Sequence, residues 1–64
     1  MLKQIPELHP KQLLFPPYNL REEKLSELLG VSVSAIKAWK YGKRSPQIAI
    51  KKLCWLVAEK LQHQ

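Results

Sequence analysis

Apolar residues recur along most of this chain at helical spacing, and glycine, serine and proline interrupt them. Leu25, Leu28 and Leu29 form one stripe with Leu20 near the same side, which predicts an amphipathic helix that buries those leucines. Asn19 can cap its start, and Glu22 three residues on completes a capping box. Gly30 follows the last leucine, where a left-handed backbone is cheap only for glycine. Ser32 then caps a second helix, Val33 to Tyr41, which Gly42 ends. At 100° per residue Ala35, Ile36 and Trp39 share one side of it, while Val33, Ser34, Lys37, Ala38 and Tyr41 face away with Lys40 at the edge. Ser45-Pro46 opens a last helix that runs to about Gln62. Its core stripe is Ile50, Leu53, Cys54, Val57 and Leu61, broadened by Ala49, Leu56 and Ala58. Ile48 and Trp55 fall on the opposite side among Lys51, Lys52, Glu59 and Gln62, and such stranded apolar groups need a cover.

The first eighteen residues follow a different pattern. Pro6, Pro10, Pro16 and Pro17 each fix φ and remove a backbone donor, so no long helix is expected there. Yet Leu2, Ile5, Leu8, Leu13, Leu14, Phe15 and Tyr18 give the segment more apolar groups than disordered tails hold. It reads as an N-terminal arm, residues 1–18, with one helical turn after Pro10, packing on the domain or on a second copy. Residues 19–64 form the domain proper. The expected fold class is all-α: a small helix-turn-helix domain with an apolar, proline-rich arm and a long C-terminal helix.

Size changes the picture next. A chain of 64 residues buries only about 60% of its unfolded surface, so its stability is marginal without help. Cys54 is the one cysteine, which rules out an internal disulfide and suggests a buried, reduced thiol. His9 and His63 lie near opposite ends with no ligand spacing, so neither a metal nor a cofactor is expected. Oligomerisation remains, and a homodimer is expected, with Phe15, Ile48 and Trp55 as dimer or arm contacts.

Charge narrows the partner. The net charge is +6, and the acids are Glu7, Glu22, Glu23, Glu27 and Glu59. Between Leu28 and Ala58 there is no acid, while that stretch carries Lys37, Lys40, Lys43, Arg44, Lys51 and Lys52. One-signed charge over the middle of a core points to a polyanion, with a solvated face that merely aids solubility as the plain alternative for the whole run, Lys51 and Lys52 included. No uncharged run approaches the ~20 residues of a membrane span, so no membrane partner is expected. The N-terminus lacks the apolar run of a secretory signal, and the expected location is the cytoplasm, at the nucleoid.

The string LSELLGVSVSAIKAWKYGKRSP, Leu25 to Pro46, resembles the helix-turn-helix of the lambda-repressor-like (Cro-type) family. The family's recurring roles would fall to Leu25, Ser26, Leu28, Leu29, Gly30, Val31, Ser32, Ile36 and Trp39, then Gly42, Lys43, Arg44 and Pro46. The match covers about a third of the chain tightly. Ser26 stands where the family prefers alanine, Lys40 and Tyr41 replace an acid and an asparagine, and one helix follows the motif where the family has two. The resemblance implies double-stranded DNA as partner, with the second helix in the major groove. It implies base-edge contacts from Val33, Ser34, Lys37 and Ala38, with Lys37 donating to guanine and Val33 and Ala38 touching thymine methyls. Arg21, Ser32, Lys40, Tyr41, Lys43 and Arg44 map near phosphates.

The expected function is therefore sequence-specific DNA binding by a small transcriptional regulator. The alternative is a protein-interaction adaptor or antitoxin-like subunit that uses the helical scaffold and apolar arm to grip a protein partner. An enzyme is not expected, because paired carboxylates in a pocket, a nucleophile with its base and a phosphate-cradling glycine loop are all missing.

Overall fold

Four side chains that lose all or nearly all contact with solvent come from four different elements: Leu13 (0% exposed), Leu25 (0%), Ile36 (1%) and Cys54 (0%). In the computed structural model, which describes residues 4–62, these elements are a 3-10 helix, Pro10–Leu14, and three α-helices: α1 (Glu22–Leu29), α2 (Val33–Lys40) and α3 (Ile48–Gln62). The fold is all-α. Leu29, Trp39 and Ala58 complete the core, and Leu8, Leu14, Leu20, Leu53 and Val57 are among the half-buried side chains packed around it. Leu2 and His63 lie outside the described residues.

No Cα of α2 comes within 8 Å of a Cα of α3, whereas the 3-10 helix packs on both. The proline-rich segment therefore supplies the layer between them, and local chemistry explains its shape. Proline at the first helical position has no donor to waste, and the His9 Nδ1 accepts the Lys11 N–H at 3.1 Å as a cap. Three contacts hold the segment against α3. The Leu8 N–H donates to the Lys51 carbonyl (3.0 Å), the Lys52 ammonium donates to the Ile5 carbonyl (2.7 Å), and Glu7 lies 3.9 Å from Lys51.

Several sequence expectations need correction. Asn19 does not cap α1: it adopts φ 53°, in a turn where its N–H donates to the Phe15 carbonyl. The Leu20 N–H then donates to the Leu13 carbonyl at 2.9 Å, which keeps the chain extended until Arg21, the actual N-cap, whose side chain makes no capping bond. Glu22 and Glu23 in the first turn offset the helix dipole instead. Helix α2 ends at Lys40, with Tyr41 as its C-cap. Helix α3 starts at Ile48, two residues after Pro46, because the first helical bond runs from the Lys51 N–H to the Gln47 carbonyl.

Along α3 the buried line is Cys54–Ala58, two small side chains one turn apart. Lys51, Lys52, Trp55 and Glu59, expected on the solvent side, are all half-buried, and the arm's bonds to Lys51 and Lys52 run along that side. Ala49 and Leu56, expected to broaden the core, are exposed, as is Leu28 of α1 at 39%. Burying the Leu25–Leu29 line turns Leu28 to the flank of α1.

Truncating Leu13 tests whether the arm belongs to the core. Leu13→Ala should cost about 2–5 kcal/mol, read from urea unfolding followed by circular dichroism; a loss within ~0.5 kcal/mol would make the arm dispensable. The cap gives a pH signature. Burial first, then the charges of Lys11 and Lys51, hold the His9 pKa below its usual 6.5. The unfolded chain thus binds the extra proton more readily, so the cap's stabilisation is present above pH 6.5 and is lost as pH falls below it. His9→Asn, which keeps a side-chain acceptor, should flatten that decline.

Candidate nucleic-acid interface

Helix α2 is short, and three features outside its own hydrogen-bond ladder define it. At its start the Ser32 hydroxyl accepts the Ala35 N–H at 3.1 Å, as expected of an N-cap. Along its length Ile36 and Trp39 are buried, and that fixes its rotation. Ser34, Lys37 and Tyr41 are consequently exposed, and Val33 and Ala38 are half-buried. At its end Gly42 takes φ 76°. The Gly42 N–H donates to the Trp39 carbonyl (3.3 Å) and the Lys43 N–H to the Ala38 carbonyl (2.8 Å), the paired closure of a Schellman turn.

That closure has a consequence for the side chains. It folds the basic loop back onto the helix end, so Ser34, Lys37, Ala38, Tyr41 and Lys43 line a single depression of about 340 Å³. Two ammonium groups, a hydroxyl, a methyl and a phenol share it, with no carboxylate among them. Lys37 and Lys40 in the last turn also complement the helix dipole.

The remaining sequence-expected residues are spread more widely. Arg21 is exposed at the N-cap of α1. Arg44 lines a separate depression with Trp39 and Ile50. Lys40 is 3.3 Å from Glu22 and half-buried, with its ammonium 5.4 Å from the centre of the Tyr41 ring. Part of its charge is therefore balanced within the molecule. The pairing of Glu22 with Lys40 is what sequence reasoning missed: eighteen positions separate them, and no local spacing signals the pair. Lys51 and Lys52 hold the arm. Phe15 and Ile48 are 51% and 59% exposed, whereas Trp55 is half-buried on the arm's side of α3.

Burial pushes the Cys54 thiol up to about 11, so it stays protonated at neutral pH and is a packing group. Among the described residues no group of three His, Cys, Asp or Glu side chains could hold a metal ion, and no helix is long and apolar enough to cross a membrane. Compared with known protein families, curated proteins and solved structures, the chain matches none.

Gly42 offers a clean test of the turn that carries Lys43. A Cβ there would meet nothing within 4 Å, so only backbone strain opposes it. Gly42→Ala should cost roughly 1–2 kcal/mol in urea unfolding; an unchanged midpoint would mean that the left-handed turn is not held.

Proposed function

We propose that this protein is a sequence-specific DNA-binding protein, a small transcriptional regulator that lays α2 in the major groove. The observation that carries the reading is the two-sidedness of α2. Ile36 and Trp39 anchor it from beneath, while Ser34, Lys37, Ala38, Tyr41 and Lys43 surround one acid-free depression. A lysine between small and hydroxyl side chains suits a groove edged by guanine acceptors and thymine methyls. Lys37 and Ser34 are its base-edge donors, with Ala38 and Val33 beside them as apolar contacts. Lys43, Arg44, Arg21 and the Ser32 hydroxyl meet phosphates, and Tyr41 supports the helix end. Lys40 contributes less, because Glu22 already balances it.

The resemblance of Leu25 to Pro46 to the lambda-repressor-like family supports the same reading. The protein acts by occupying DNA, without chemistry of its own, in the cytoplasm at the nucleoid. Two copies on half-sites one helical turn apart would give the specificity such regulators need, and exposed Phe15 and Ile48 are available for their contact.

Selection of binding sites from random duplex DNA tests the proposal, and enrichment of a palindrome is the expected outcome. With the selected site, log K should fall against log salt with a slope of about −4 to −5 per monomer, from roughly four to six phosphate contacts. Lys37→Ala should weaken that site by about 1–3 kcal/mol and relax one base position. Arg44→Ala should weaken all duplexes alike. If neither substitution changes binding to any duplex, the DNA reading fails.

A further inference from the structure

Leu28 breaks the pattern of its own helix. Its spacing from Leu25 and Leu29 belongs to a buried stripe, yet it is 39% exposed. It opens onto a groove of about 390 Å³ whose walls are Lys24 and Leu28 of α1, with Leu20 of the extended segment before it, and Val57, Lys60 and Leu61 of α3. A second depression of about 300 Å³ continues from Leu20 and Leu61 past Pro17 and Tyr18. Leu20, Leu28, Val57 and Leu61 make most of the floor apolar, and at the far end the Gln62 amide donates to the Tyr18 hydroxyl at 2.8 Å. The volume is in the range of ligand-sized clefts, but the groove is an open trough between two helices rather than a closed cavity.

Its charges identify the occupant. The two charged side chains that line it are both lysines, one on each wall. Among the described residues neither makes an ion pair, although the molecule pairs Lys40 with Glu22 and Lys51 with Glu7. A second copy docked groove against groove would set four lysines around one apolar seam, a like-charge arrangement that opposes association. The three acids of α1, Glu22, Glu23 and Glu27, are not among the lining residues. The backbone groups of α1 and α3 are bonded within their helices, and the N–H groups of Tyr18 and Leu20 donate to the Phe15 and Leu13 carbonyls, so no free strand edge lines the groove. An amphipathic helix fits: apolar side chains at i, i+4 and i+7 fill the floor, and carboxylates on both flanks meet the two ammonium groups.

We propose that the α1–α3 groove is a docking site for an acidic amphipathic helix of a partner protein. No residue of α2 lines it, so docking leaves the acid-free face of α2 open. The site does not depend on the DNA reading, and the protein can hold a protein partner and a second ligand at once.

The experiment titrates the full, isotope-labelled chain with a synthetic amphipathic helix carrying leucines on one face and glutamates on both flanks. A control helix carries lysines in place of the glutamates. The acidic helix should give saturable chemical-shift changes centred on Leu28, Val57 and Leu61, and the basic helix should give none. Lys24→Glu with Lys60→Glu, two exposed positions, should weaken the acidic helix by roughly tenfold or more and let the basic one bind. Equal binding of both helices, or no saturable change, overturns the proposal. So does peptide-free dimerisation in sedimentation that Leu28→Asp abolishes, since the groove would then belong to a second copy.

Discussion

The burial of Leu13 is the contact on which the rest of the structure depends. Helices α2 and α3 do not approach each other closely, and the 3-10 helix that carries Leu13 packs on both. Its side chain, fully buried, shares one cluster with Leu25, Ile36 and Cys54. Without this wedge α2 would keep only α1 within close backbone range, and two short helices cannot bury enough apolar surface to hold a fixed angle. The arm is thus a structural layer, and it is tied down by contacts that cost the molecule two of its lysines. Lys51 and Lys52 engage Glu7 and Ile5 and are drawn away from any external anion.

Charge is distributed by the same logic. The basic residues divide into those the fold uses and those it leaves free. Lys40 is balanced by Glu22 across α1 and α2; Lys51 and Lys52 clasp the arm. Lys37 and Lys43 stand around one depression at the end of α2, and Lys24 and Lys60 stand on the two walls of the α1–α3 groove. The positive surplus of the sequence thus leaves lysine pairs on two separate surfaces. One is a polar depression at the end of a helix; the other is a trough with a mostly apolar floor. Different ligands suit them because the first offers hydrogen-bond donors and the second offers buried area.

Much of the α1–turn–α2 unit was legible from residue types because its determinants are local. Gly30 ends α1 at φ 71°, Ser32 caps α2, and the 100° step correctly puts Ile36 and Trp39 inward. Where the expectations failed, a distant segment had intervened. Asn19 has the chemistry of a cap, but the bond between Leu20 and Leu13 holds the chain extended and moves the start of α1 to Glu22. Glu22 has the spacing of a capping box, but Lys40 takes its carboxylate. Leu28 and Leu56 have the spacing of core residues and are exposed, because burial on a helix is decided by what packs against each side.

The chain alone determined its helices, the two glycine stops and the exposure of Ser34, Lys37 and Tyr41 on α2, since propensity, capping and periodicity act within a few residues. Tertiary structure alone decided that the proline-rich segment is part of the core, which lysines remain free, and where apolar surface is left open. Those outcomes depend on pairs such as Leu13 with Ile36, Lys40 with Glu22 and Leu20 with Leu61, far apart in sequence and adjacent only once the chain has closed on itself.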